Sequence, residues 1–231
     1  MRRALVFGMA TYESEALPNL PSGVADAEQV ADLLRYHVGG TDNFEVTVQV
    51  SDDDNMLTVE DLMRTTDAWF DAGPITDGLI YFSGHASNTP YGLHLAGADT
   101  DGSFDAGFAF DSLLHRANQK TFASLTIILD CCHSGAAGDI TLDTRFDALL
   151  LRKNVAILAA SREFESAWGG DPTSQFTEQF IGALSDARIQ SDGPATVFDV
   201  FQNVRVVLPT LGQTPVLKAH ISTDVVLRDR N

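Results

Sequence analysis

The only two cysteines of the chain stand side by side in the stretch LTIILDCCHSGAAGD, residues 125–139, with His133 directly after them. Thiols and an imidazole can bind zinc, neighbouring thiols can oxidise to a disulfide, and a single thiol with a base can attack a carbonyl. Zinc fits poorly, because adjacent residues of a strand point to opposite faces and no C-x-x-C or distal pair completes four ligands. A disulfide between neighbours would distort the intervening peptide. The pattern reads as one nucleophile and one packing cysteine. A second apolar run, GLIYFSGHAS, ends in His85 much as LTIILDCC ends in Asp130, Cys131 and Cys132. If the two runs are neighbouring parallel strands, an imidazole and a thiol meet at their ends, and the imidazole can serve as the base.

These residues need a scaffold that puts strand ends together. ALVFGMA, DGLIYFSG, SLTIILD and NVAILAAS are continuous apolar runs, the signature of strands covered on both faces. FEVTVQVSDDD alternates and reads as a further strand, and PVLKAHIST as the last one. Helical spacing marks GVADAEQVADLLRYHV, with Ser22 as its cap and Gly39-Gly40 as its stop. TVEDLMRTTDAWFDAG carries Thr58 and Asp61 in a capping-box arrangement, and AFDSLLHRANQ, SQFTEQFIGALSDA and TVFDVFQNVRVVL are further helices. Strands alternating with helices predict an α/β fold with a mostly parallel sheet, whose chemistry lies beyond the carboxyl ends of the strands. No repeat, low-complexity tract or long linker divides the chain, so one domain is expected. Residues 98–107 and 136–154 are the expected flexible segments.

With 231 residues and 44% hydrophobic content, the chain can bury a sizeable core. Its 32 acidic and 15 basic residues leave a net charge of −17, which repels phosphate backbones and anionic membranes. Neither nucleic acid nor a membrane is an expected partner; cationic ligands such as basic peptide segments are favoured, although acidity also serves solubility. MRRALVFGMATYESEALP has too short an apolar run for a signal peptide, and a cytoplasmic location is the default expectation.

The blocks YFSGHAS and DCCHSG, separated by a spacing close to the roughly 50 residues typical of caspases, resemble the histidine and cysteine blocks of caspase-like cysteine peptidases, above all prokaryotic metacaspases. ALVFGMATY, GVADAEQVADLL, AASREFESAW, SQFTEQFIGAL and QTPVL extend the resemblance over essentially the whole chain. It implies a three-layer α/β/α sandwich with a mostly parallel central sheet. A large-subunit-like part would cover about 1–140 and a small-subunit-like part about 154–231. It further implies that Cys132 is the nucleophile, His85 the base, and the backbone N–H groups of Cys132 and Ala86 the oxyanion donors. Ala86 stands where the family usually has glycine, and is strained if that position needs positive φ.

Asp26 and Asp130 match the acidic positions that select Arg or Lys in metacaspases, so cleavage after Arg is expected, with Lys second. Ser161, after the AILAA run, is a candidate for the substrate groove. The family's calcium dependence maps onto Asp99, Asp101 and Asp139, although DTDG lacks the rest of an EF-hand loop. No cofactor is needed for the chemistry itself. Arg145, Arg152 and Lys153 are candidate self-cleavage positions, and the resemblance favours a monomer. Two other readings remain: a non-catalytic caspase-like scaffold or regulator, kept open by Ala86, and a flavodoxin-like or response-regulator-like module. The latter lacks a phosphate-cradling glycine loop after the first strand.

Overall fold

The four continuous apolar runs form the middle of one sheet: β1 (Arg2–Met9), β3 (Asp77–Ser83), β7 (Ser124–Asp130) and β8 (Val155–Ala159). β2 (Glu45–Ser51) and β10 (Val216–His220) are its edges, giving the order β10-β8-β7-β3-β1-β2. All neighbours are parallel except β10, which runs antiparallel to β8. The computed structural model describes residues 1–103, 106–131, 154–161, 172–186, 193–222 and 224–229.

Period-two alternation sends successive residues of each strand to opposite faces, and helices cover both. α1 (Ser22–Arg35), α4 (Gln175–Ser185) and α5 (Val197–Val207) pack on the face carrying Ala4, Val6, Tyr81, Ile128 and Leu158. α2 (Val59–Asp71) and α3 (Phe110–Asn118) pack on the face carrying Phe7, Met9, Phe82, Leu129 and Cys131. The result is the α/β/α sandwich expected from the sequence. The described residues also form two small sheets: β4 (Ala86–Thr89), β5 (Gly92–Leu95) and β6 (Phe108–Ala109) in one, and β9 (Ala195–Thr196) with β11 (Val226–Arg228) in the other.

Helix ends show where local signals rule and where the fold overrides them. α2 has the expected box: Thr58 Oγ1 accepts from the Asp61 amide at 3.1 Å, and Asp61 Oδ2 accepts from the Thr58 amide at 3.1 Å. α1 departs from expectation at both ends. Its N-cap is Pro21, with no side-chain cap, and Ser22 is already inside the first turn. It stops at Arg35 rather than at Gly39-Gly40, because the returning chain satisfies its last carbonyls: Phe44 N–H donates to Leu34 O and Asn43 N–H to Arg35 O.

α1 lies on β1 with almost no space between their backbones. A Cβ added at Gly8 would stand 2.2 Å from the Gly23 carbonyl oxygen and 2.6 Å from Ala27 Cβ, and one at Gly23 would stand 2.5 Å from Met9 O. Gly8→Ala is therefore expected to destabilise the protein by about 3 kcal/mol or more, the upper end of overpacking costs. A lowered urea midpoint with an unchanged slope is the signature to look for.

Candidate active site

The register of β3 and β7 places Ser83 opposite Asp130, and Gly84 N–H donates to Asp130 O at 3.2 Å just beyond the strands. His85, Asp130 and Cys131 thus share the carboxyl edge of the sheet, where a parallel α/β fold puts its chemistry. Cys131 is buried in the core cluster against α2 and α3. Cys132, His133, Asp139, Arg145, Arg152 and Lys153 lie outside the described residues.

The His85 main chain is held on both sides. Its N–H donates to Tyr12 Oη at 2.8 Å, and its carbonyl accepts from Ala96 N–H at 2.9 Å. The ring is held too: His85 Nε2 lies 2.7 Å from the Pro18 carbonyl oxygen, which can only accept, so Nε2 carries the proton and Nδ1 is left with its lone pair. Burial pushes the imidazole pKa below its ordinary value, with the Pro18 bond partly opposing this. A neutral ring with an available Nδ1 is the form needed to accept a proton from a thiol. Ala86 opens β4, paired with Leu95, and has no positive φ. The alanine is an ordinary extended residue here, and no strain attends the loss of glycine.

Two carboxylates meet on the opposite side of the β7 end from Cys131. Asp26, from α1, is fully buried, and Asp130 is 4% exposed. Asp26 Oδ2 accepts from Ser83 Oγ at 2.8 Å and Oδ1 from the Ser174 amide at 2.8 Å. Asp130 Oδ2 accepts from Ser174 Oγ and, at 2.7 Å, from Thr177 Oγ1. Ser174 is the N-cap of α4, its Oγ accepting from the Thr177 amide, so one residue starts a helix and joins both acids. Tyr81 Oη, 2.5 Å from Thr177 Oγ1, extends the network under the pair. The described ion pairs include neither acid. Burial, and then repulsion from Asp130, push the Asp26 carboxyl up to about 7. Burial raises Asp130 as well. Such a pair offers acceptor oxygens to a cation, and no cation among the described residues is paired with it.

Ser161, at the end of β8, is buried with its Oγ 3.4 Å from the Cys131 carbonyl. It supports the backbone next to the site. Asp99 Oδ1 accepts from Val59 N–H at 2.8 Å, at the start of α2, and Asp101 Oδ1 from Ser103 N–H at 2.8 Å. Each acid is committed to an amide. No group of three or more His, Cys, Asp or Glu among the described residues is arranged to hold a metal ion, and Asp139, the third member of the expected calcium set, lies outside them.

The sequence did not single out Tyr12, Pro18, Ser83, Ser174 or Thr177. Ser174 carried a readable sign, a serine just before a helical run, but only as a cap. Nothing in the spacing links Tyr12 or Pro18 to His85, since they come from a different loop.

Among the described residues, no helix is long and apolar enough to cross a membrane. The chain is 28% identical to Metacaspase-1B of Aspergillus fumigatus over 206 residues, 80% of this chain and 48% of that protein. It is equally similar, 28% over 207 residues, to Metacaspase-1B of Aspergillus clavatus, covering 81% and 49% respectively. The chain therefore spans about half the length of these relatives. Among solved structures, Caspase-1 from Spodoptera frugiperda superposes with a TM-score of 0.68 at 14% identity, covering 99% of this chain and 90% of that one. A protein of Geobacter sulfurreducens superposes with a TM-score of 0.62 at 17% identity, covering 99% and 98%. Both share the fold. The Caspase domain family model matches residues 1–226, and with His85, Asp130 and Cys131 at the sheet edge the chain belongs to that family of caspase-like cysteine peptidases.

Proposed function

We propose that this chain is a cysteine endopeptidase that cuts after arginine and, less efficiently, after lysine. The observation that carries the specificity is the buried Asp26–Asp130 pair, joined through Ser174 and paired with no cation among the described residues. A guanidinium would bring the missing charge and a planar fork of donors. In the chemical step His85 Nδ1 takes the proton of the Cys132 thiol, and the sulfur adds to the peptide carbonyl. The tetrahedral intermediate, its oxyanion held by backbone N–H groups such as that of Ala86, collapses to a thioester as His85 gives the proton to the leaving amine. Water, deprotonated by His85, then hydrolyses the thioester and restores the thiol.

Fluorogenic peptides differing only in the residue before the cut test this reading. Arginine is expected to be cleaved best, lysine next and aspartate not at all, with activity lost in Cys132→Ala. Preference for aspartate, or indifference to charge, overturns the specificity; equal activity in Cys132→Ala overturns the nucleophile. The same specificity makes Arg145, Arg152 and Lys153 self-cleavage positions. Mass spectrometry of wild type and Cys132→Ala after incubation should find new termini after these residues in the wild type only.

A further inference from the structure

We propose that Tyr12 is a positioning residue for His85, tying the loop that carries the Pro18 acceptor to the segment that carries the imidazole. The inference rests on His85 being the base. Tyr12 is buried and meets the histidine twice: its Oη accepts from the His85 amide at 2.8 Å, and its ring lies 4.9 Å from the imidazole, centroid to centroid, tilted by 50°. Tyr12 N–H also donates to Asn19 Oδ1 at 3.0 Å, and Asn19 directly follows Pro18. Leu20 N–H closes the same loop onto Ala10 O at 2.8 Å. Through these contacts a single side chain fixes the His85 backbone, limits the tilt of the ring and sets where the Pro18 carbonyl stands. Gly84 makes the hydroxyl's approach feasible, since a Cβ there would stand 2.9 Å from Tyr12 Oη.

The imidazole needs this help because one hydrogen bond at Nε2 leaves rotation about that contact open. A ring that turns away from the thiol loses proton transfer while substrate binding persists. A tyrosine that only filled space would affect stability and leave the rate of chemistry alone. Tyr12→Phe separates these roles by keeping the ring and deleting the acceptor.

The test measures kcat and KM on an arginine peptide, the His85 imidazole titration by NMR, and the melting temperature for wild type, Tyr12→Phe, Asn19→Ala, Asn19→Asp and His85→Ala. Tyr12→Phe is expected to lower kcat about tenfold, the loss of one oriented hydrogen bond's worth of alignment, with KM within about twofold. Its imidazole pKa should move up toward the ordinary value as the ring loosens. Asn19→Ala should lower kcat in the same way, and Asn19→Asp, which keeps an oxygen acceptor, should largely restore it. Unchanged kcat and titration in both Tyr12→Phe and Asn19→Ala, with only a lower melting temperature, overturn the inference and leave the base in place. Full activity in His85→Ala instead removes the base itself, and the inference with it. If Tyr12→Phe does not fold, the Asn19 pair decides: matching kcat in Asn19→Ala and wild type overturns the proposal.

Discussion

His85→Ala is expected to lower kcat on an arginine peptide by about 10²- to 10⁴-fold, the range for a positioned proton-transfer group. The expectation comes from the way the ring is held. Pro18 O accepts a hydrogen bond from Nε2–H, which leaves Nδ1 as the basic nitrogen, and burial depresses the imidazole pKa so that the neutral form prevails at neutral pH. The depressed pKa makes a further statement about pH. A base must be unprotonated to act, so the acidic limb of kcat should fall below the ordinary imidazole value of 6.5. A limb at or above that value, or a His85→Ala enzyme within about threefold of wild type, would remove His85 from the mechanism.

The second large effect falls on binding and has the opposite position on the pH scale. Asp26, raised to about 7, keeps its proton through the acid range in the ligand-free protein, and a guanidinium prefers the charged form. Facing it among the described residues are Asp130 from β7, Ser83 and Tyr81 from β3, Ser174 at the N-cap of α4 and Thr177 within it. Binding an arginine side chain should therefore release about one proton at pH 6 and almost none at pH 8, and affinity should be about tenfold weaker at pH 6 than at pH 8. A competitive arginine peptide aldehyde measures this directly, and a flat profile would falsify the linkage.

The stability of the ligand-free protein runs the other way. A carboxyl whose folded pKa exceeds its unfolded value favours the folded state at acid pH, and that contribution is lost as the pH rises through about 7. Melting temperatures should fall between pH 6 and 8. Asp26→Asn should abolish that fall and weaken arginine binding at both pH values.

How far the sequence carries depends on whether a feature is announced by its own residues. β1, β3, β7 and β8 were legible because strands buried on both faces must be apolar throughout, and the α2 box because Thr58 and Asp61 bond each other. The hairpin of β4 and β5 was not. Its residues ASNTPYGLHL mix polar and apolar types around Pro90, and pairing with each other holds them rather than a hydrophobic stripe. Ser22 looked like a cap, yet α1 begins at Ser22 itself, a buried residue just after Pro21. Within the site, His85 and Asp130 stood out as polar groups ending apolar runs. Asp26 reads as one more helical acid until Asp130 and Ser174 are placed beside it, and the Tyr12 and Pro18 contacts arise only when the β1–α1 loop and the segment after β3 converge at the sheet edge.

The contact of β1 with α1 through Gly8 and Gly23 bears on how this protein can diverge. Asp26 sits one turn along α1 from Gly23, so main-chain contact, rather than the packing of any large side chain, sets the depth at which its carboxylate rests. Apolar residues elsewhere can change without displacing that acid. The two glycines cannot. In a lineage of such proteins, heritable change in what the acid pair recognises is expected to come from swapping the acids themselves, while the seat that holds Asp26 stays the same.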